Sequence, residues 1–339
     1  GGELFLALLE AMEDGSKLIM LGDHHQLPSI GVMNLLQDML HNNFIPKKIL
    51  TEIHRQAQRS AIITESMKVK DGIQIANSTG LSVRGELKDL VLDVYSGRGQ
   101  VKSVDQITAN KIINHFESIY SRVNDINRIQ IVVPMRERGE SSAFAISNRI
   151  QDIYNPSKVG MKFLKLKRFN KELEIRVGDK VINRKNNYKV ENTKGEEVSI
   201  FNGYIGIVKD INEYRKELII DFSRYDVGDV IISGEQMNAI ELAYAVTCHS
   251  FQGSQSDIVI VGLDNYAYML LSKEWVYTAM TRPRKYCIFV AQKEALGESI
   301  SKSSISYKQT FLNRFLGKEV ELIGSVEDYY EDEDIFDID

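Results

Sequence analysis

Apolar and polar positions recur along this chain in two rhythms, and the change from one to the other divides it. Leu4, Leu8, Leu9 and Met12 fall at helical spacing within Glu3–Asp14, and Gly15 stops the pattern, so a helix is predicted there. Lys17–Leu21 reads as a short buried strand. It empties into the polar loop Gly22-Asp23-His24-His25-Gln26-Leu27-Pro28-Ser29-Ile30-Gly31, where Gly and Pro forbid a continuing strand. A helix is expected near Val32–His41, broken by Pro46, and Lys48–Thr51 leads into Glu52-Ile53-His54-Arg55-Gln56. Arg59–Val69 is helical again, whereas Lys70–Gln106 holds only one clear strand, Leu90–Tyr95. Helix Ile107–Tyr120, strand Ile129–Val133 and helix Ser142–Tyr154 then restore the α/β alternation of a parallel sheet covered by helices.

From about Ser157 to Asn238 the rhythm changes to short strands: Val177–Asn183, Val198–Phe201, Gly203–Asp210, Glu217–Phe222 and Asp229–Ser233. Turn residues Asn202-Gly203 and Val227-Gly228-Asp229 separate several of them, which predicts a small inserted barrel. The α/β pattern resumes with strands Glu241–Val246 and Ile258–Val261, helix Lys273–Thr281 and strand Tyr286–Ala291. The expected fold class is therefore α/β, a parallel sheet interrupted by a β insertion.

At 339 residues the chain is too long for one ordinary core, which predicts two or three domains. A hydrophobic share of 43% and a charged share of 26% are those of a soluble globular protein. No apolar run approaches a membrane span, and the first residues lack the basic flank of a signal peptide, so a cytoplasmic protein without a membrane partner is expected. Cys248 and Cys287 lie in strand-like apolar settings with no CxxC and no histidine at metal spacing. They read as reduced core thiols, and no metal site of the chain's own is expected.

The net charge of −5 is unevenly spread. Glu327–Asp339 holds eight of the 47 acidic residues and no Lys or Arg, leaving 39 acidic against 42 basic residues in the body. That tail has no periodic apolar face and reads as disordered, or as a docking motif for a protein partner through Tyr329, Tyr330, Ile335 and Phe336. Met161–Lys189 carries ten basic and three acidic residues, an excess that suits either a phosphate backbone or a solvated lysine-rich face.

The densest chemistry lies in Glu241–Asp257, where a strand runs into a loop holding His, Ser, Gln and Gly before a second apolar run. A Gly beside Gln allows backbone N–H groups to approach a phosphate, although a plain turn between core strands has the same spacing. Ser96–Ser103 fails as a phosphate loop, because Val101 stands where Gly should precede the Lys. No GxxxxGK[ST] occurs in the sequence, no acidic pair for Mg²⁺ is evident, and no clustered carboxylates suggest a nuclease.

Four ordered segments carry a resemblance. GDHHQLPSIG (Gly22–Gly31), LTEIHRQ (Leu50–Gln56), AYAVTCHSFQGSQSD (Ala243–Asp257) and VYTAMTRPR (Val276–Arg284) match the third to sixth motifs of RecD-like superfamily 1 helicases. The chain is similar also to phage Dda-like and conjugative helicases, over roughly residues 3 to 295. Ile175–Val208, with GDKV, NNY and FNGYIGIV, resembles the Src-homology-3-like barrel inserted in that branch's second motor domain.

The resemblance implies the C-terminal part of a first RecA-like domain at 1–45 and a second RecA-like domain at 46–156 and 239–318. The inserted barrel would occupy 157–238 and the acidic tail 319–339. It further implies an ATP-dependent DNA helicase of 5′-to-3′ polarity that acts on single-stranded DNA and duplex junctions. ATP and Mg²⁺ would be its cofactors, with the phosphate loop and metal ligands supplied by an N-terminal segment or separate subunit.

By the same resemblance Arg55 and Arg282 stabilise the γ-phosphate charge when the cleft between motor domains closes, and Gln26 senses that phosphate, since an amide donates and accepts at once. Asp23 helps hold the loop, while Gln56, Gln252, Gly253 and Gln255 complete the nucleotide site. Single-stranded DNA would meet Pro134, Met135, Arg136, Asn202, Gly203, Thr247, His249 and Ser250, with a core histidine as the competing role for His249. The adjacent His24 and His25 point in different directions, which argues against a shared metal. Two departures stand out. The family commonly has Lys-Ser where this chain has Ser250-Phe251, so a charge is lost and Phe251 either stacks on a base or packs in the core. Pro283 replaces the commoner Ala. A non-catalytic, single-strand-binding or regulatory module with a helicase-like fold is the alternative function.

Overall fold

The computed structural model describes residues 2–28, 34–50, 57–97 and 103–304, so Arg55, Gln56, the loop at Val101 and the acidic tail lie outside the described residues. The described residues fall into two compact units, a smaller one within Gly1–His24 and Pro28–Thr51 and a larger one of His25–Leu27 and Glu52–Ser304.

The smaller unit holds helix α1 (Gly2–Glu10), which ends short of the predicted Asp14, and helix α2 (Leu35–His41). The predicted strand Lys17–Leu21 is not formed. It has no ladder partner among the described residues, and Ile19 and Leu21 are 84% and 95% exposed. An apolar five-residue run becomes a strand only when a neighbour takes its N–H and C=O groups.

The larger unit runs in chain order through α3 (Ala61–Lys70), β1 (Gly80–Arg84), β2 (Leu90–Tyr95), α4 (Val104–Val123), β3 (Ile129–Val133) and α5 (Ala143–Tyr154). Nine strands follow: β4 (Phe163–Arg168), β5 (Lys171–Arg176), β6 (Lys180–Asn183), β7 (Asn187–Glu191), β8 (Glu197–Ile200), β9 (Ile205–Asn212), β10 (Glu217–Asp221), β11 (Asp229–Ser233) and β12 (Ile240–Leu242). The unit closes with β13 (Ala245–Thr247), β14 (Ser256–Leu263), α6 (Lys273–Met280), β15 (Pro283–Gln292) and α7 (Lys293–Ser301).

Its core is a six-stranded sheet in the order β1-β2-β15-β14-β3-β13, parallel throughout except for the edge strand β1. Alternate residues of each strand enter opposite cores, as the two-residue period of a pleated strand requires. Ile131, Ile260 and Ile288 face one core with Ile112 and Phe116 of α4 and Ile146 of α5. Val132, Val259 and Phe289 face the other, where Ile62 of α3, Trp275 of α6 and Leu296 of α7 pack. Helices thus cover both faces, and the mixed α/β fold with a parallel core is the one the sequence predicts.

The insertion forms a five-stranded antiparallel sheet in the order β11-β10-β9-β6-β12, beside the hairpins β4-β5 and β7-β8. One bridge, Asn192 to Val230, links the β7-β8 hairpin to β11. The predicted single strand Glu241–Val246 is two strands in two sheets. β12 pairs antiparallel with β6, and β13 pairs parallel with β3. Only Ala243 and Tyr244 separate them, with Ala243 N–H donating to Lys180 O (2.8 Å) and Tyr244 O accepting from Ile131 N–H (3.2 Å).

Candidate functional site

Two loops at the borders of the parallel sheet carry the predicted residues, and a short segment of the third motif is clamped onto them. Arg282 sits between α6 and β15 and is 5% exposed. Its Nε donates to Thr278 O (3.0 Å), one terminal nitrogen to Ser254 O (3.2 Å), and the other to Thr281 Oγ1 (3.1 Å) and Gln26 Oε1 (3.2 Å). The next residue along, Leu27, is buried. Its N–H donates to Thr278 Oγ1 (2.8 Å) and its carbonyl accepts from Gln252 Nε2 (2.8 Å). His25 meets the Tyr277 ring edge-on at 6.3 Å. Gln26, Gln252 and Arg282, from three distant parts of the sequence, therefore share one hydrogen-bonded cluster. Asp23 is half-buried in the smaller unit.

Pro283 has a physical account here. It opens β15, a position where a strand tolerates the missing N–H, while the preceding Arg282 carbonyl accepts from Ser256 N–H (3.2 Å). Gly253 has φ +75°, so the turn after Gln252 needs a residue without a side-chain penalty. Gln255 is exposed, its carbonyl accepting from Arg224 (2.9 Å) and its Oε1 from Arg284 (3.4 Å). Cys248 and Cys287 are free and buried, and burial pushes the Cys248 thiol up to about 12, so it stays neutral in the core as the sequence predicts.

A second cluster gathers around Ser250. Thr247 Oγ1 and Ser250 Oγ lie 2.7 Å apart, and Arg184, reaching over from the end of β6, donates to Ser250 Oγ at 2.5 Å. Arg184 also pairs with Glu241 Oε2 (2.9 Å), whose other oxygen accepts from Arg136. The Arg136 guanidinium lies 4.9 Å from the Phe169 ring centroid. Gly203 (φ +95°) brings its α-carbon face to Ser250, where a Cβ would stand 3.5 Å from the Ser250 carbonyl oxygen. Asn202 beside it is exposed, and its N–H donates to Asn186 Oδ1 (2.9 Å).

Arg184, which brings a guanidinium paired with Glu241 to the Ser250 hydroxyl, is a residue that sequence reasoning did not single out. The only signal was its membership of the basic stretch Met161–Lys189. That stretch is not one basic face: Arg168, Arg176, Lys180 and Arg184 are spent inside the fold on carbonyls and carboxylates.

His249 is exposed, so it is not a core histidine, whereas Phe251 is 1% exposed and packs in the core rather than offering a stacking face. Pro134 is buried and Met135 half-buried against the same core, so of that trio only Arg136 projects to solvent. Among the described residues, no group of three His, Cys, Asp or Glu side chains is arranged to hold a metal ion.

Glu241 carries a testable pH dependence. Burial raises its pKa, but the Arg136 and Arg184 guanidinium groups outweigh that and hold it below the usual carboxylate range. A depressed folded-state pKa stabilises the fold above the unfolded value and loses that contribution as pH falls through the folded one. Glu241→Gln is therefore expected to lower the melting temperature at neutral pH and to leave a shallower loss of stability on acidification below the ordinary carboxylate range. Parallel acid melting curves for the two proteins would contradict the pairing.

Two protein families and several known proteins resemble this chain. The family described as UvrD-like helicase C-terminal domain matches residues 242–290, and an AAA domain family matches residues 1–105. The ATP-dependent RecD2 DNA helicase of Deinococcus radiodurans is 28% identical over 84% of this chain and 34% of its own length. The RecBCD enzyme subunit RecD of Buchnera aphidicola is 22% identical over 87% of this chain and 53% of its own. Among solved structures, the Pif1 helicase from Bacteroides in complex with ADP-AlF3 and ssDNA aligns at 14% identity with a TM-score of 0.42, covering 78% of this chain and 57% of that one. The chain spans about a third to a half of the length of these two curated relatives. No described helix is long and apolar enough to cross a membrane. The third, fifth and sixth motif segments are joined in one cluster, and along most of its length the chain is similar to RecD-like superfamily 1 helicases.

Proposed function

We propose that this chain is the motor portion of an ATP-dependent DNA helicase that moves 5′ to 3′ along single-stranded DNA and separates duplex at a junction. The observation that carries the proposal is the contact of Gln26 with Arg282, locked by Gln252 onto the Leu27 carbonyl. An arginine held by backbone carbonyls keeps a fixed direction, and an amide beside it reports on whatever displaces its bond. These donors fit the γ-phosphate of ATP, with Arg55 as the second arginine and Gln56, Gly253 and Gln255 as further nucleotide contacts. ATP hydrolysis supplies the free energy. Arg282 and Gln26 orient and neutralise the phosphate, and the loop from Thr247 to Gly253 connects that event to the strand-facing residues. The Mg²⁺ ligands and the phosphate loop would come from another segment or subunit, a reading supported by the lack of a GxxxxGK[ST] in the sequence.

Single-stranded DNA is assigned to Arg136, Thr247, His249, Ser250, Asn202 and Gly203, with Pro134 and Met135 shaping the floor beneath them. The inserted strands act as an SH3-like barrel whose Arg184 and Gly203 support the strand-facing loop. Mixing the full chain with the phosphate-loop segment of a RecD-like first domain is expected to give ATP hydrolysis stimulated by single-stranded DNA. A folded, verified complex with no such activity would leave only the alternative of a non-catalytic strand-binding module.

A further inference from the structure

The N-terminal ends of β3, β14 and β15 open onto a cleft of ≈ 360 Å³ whose far wall is the inserted sheet. It lies at the opposite end of the parallel strands from Pro134 and Thr247, which mark the C-terminal ends of β3 and β13. Arg128, Lys180, Arg224 and Arg284 line it, together with Asp221 and Asp257. The two carboxylates are already matched. Asp257 accepts from Arg128 (3.2 Å) and Lys285 (2.9 Å), and Asp221 pairs with Lys209 (3.3 Å).

The remaining three cations have no carboxylate partner among the described residues. Arg224 and Arg284 donate only to the carbonyl and side-chain oxygens of Gln255. Lys180 is 3% exposed, and its ammonium donates to Ile129 O (2.9 Å) and Ile126 O (3.3 Å), both neutral. An ammonium buried against neutral carbonyls is costly, and with two guanidinium groups that bond no carboxylate beside it the cleft carries more positive charge than its own carboxylates match.

We propose that this cleft binds a phosphate group, with Arg224 and Arg284 as guanidinium ligands and the Lys180 ammonium as the buried charge behind them. Guanidinium groups match phosphate oxygens in pairs, a lysine adds a point charge, and the cleft has the volume of a small-ligand site. The phosphate is either that of a free polyphosphate or the phosphodiester of a nucleic-acid strand. The proposal does not rest on the motor assignment.

Binding is coupled to protonation of Lys180. Burial, with Arg224 adding to it and Asp125 opposing, pushes the Lys180 pKa down to about 7. The other charged groups facing the cleft are arginines and the aspartates Asp221 and Asp257, whose partners hold their carboxyls below the usual range, so Lys180 alone changes charge near neutrality. A bound anion favours the ammonium, so binding takes up protons, is tighter below pH 7 and weakens above it.

The test is isothermal titration of the full chain with inorganic pyrophosphate and, separately, with a short oligothymidylate, below and above pH 7. Circular dichroism checks that each variant is folded. R224A/R284A, altered at exposed positions, is expected to bind at least about tenfold more weakly. K180M replaces the buried ammonium with an apolar chain and should lose the pH dependence. Pyrophosphate binding with this variant pattern supports a free-phosphate ligand, and oligothymidylate binding alone with the same pattern supports a strand phosphodiester. Binding of neither probe, or affinity unchanged in R224A/R284A, overturns the proposal.

Discussion

Arg282→Ala is expected to lower DNA-stimulated ATP turnover of the assembled motor by about a thousandfold while single-stranded DNA binding changes by less than about threefold. Arg282 is the side chain that joins Gln26 to the Ser254 loop, and its guanidinium touches both. Removing it takes away the positive charge proposed to face a leaving phosphate, together with the bond to Gln26. Because the residue is buried and also holds Thr278 O, loss of folding must be separated from loss of chemistry. Arg282→Lys does this. It keeps the charge, cannot span the same acceptors, and is expected to recover about one to two of the three orders of magnitude. Turnover within tenfold of the unsubstituted protein for Arg282→Ala, with the melting temperature unchanged, would place the chemistry elsewhere.

The largest effect on stability is expected at Asp179. This carboxylate is fully buried and accepts from Arg176 N–H (2.7 Å), Gln151 Nε2 (2.5 Å), Asn155 Nδ2 (2.8 Å) and the Tyr244 hydroxyl (2.8 Å). Those donors come from the end of β5, from α5 and the residue after it, and from the joint between β12 and β13. Asp179→Ala removes the shared acceptor of four donors, three of them on buried residues, and a destabilisation of about 3–5 kcal/mol is expected. Tyr244→Phe, which removes one donor and leaves the others satisfied, should cost about 1 kcal/mol. Urea unfolding of the two variants measures both values. A loss below about 1 kcal/mol for Asp179→Ala would show that water replaces the carboxylate and that the hub is not structural.

Where the sequence carries a strong two-residue or helical period, the elements are legible in it nearly to the residue. Leu90–Tyr95 and Ile129–Val133 are strands with the predicted ends, and the predicted start of α5 at Ser142 is its N-cap, accepting from Ala145 N–H (3.2 Å). The β4-β5 hairpin was not predicted, although Leu164, Leu166, Leu173 and Ile175 alternate with charged residues. Its turn is Phe169-Asn170, both at positive φ, instead of the Asn-Gly that announces a hairpin. Lys17–Leu21 failed for the opposite reason, an intrinsic preference for strand with no ladder to join. Within the candidate site, Gln26, Gln252 and Arg282, which the structure brings into one cluster, could be singled out because their motifs are local. Arg184 was not, since it meets Ser250 across 66 positions and spacing says nothing about such pairs. The same holds for Glu241, whose role depends on facing both Arg184 and Arg136.

The two-residue crossing from β12 to β13 bears on how the insertion can move. A hinge needs residues whose backbone angles are free to swing. Ala243 and Tyr244 are not such residues, for both are buried and their main chains are hydrogen-bonded to Lys180 of β6 and Ile131 of β3, the neighbours of the strands they join. The insertion is therefore fastened at its exit like a welded bracket. A tilt of β13 is expected to carry β12 and its ladder partner β6 with it, and with them Arg184 just beyond the end of β6.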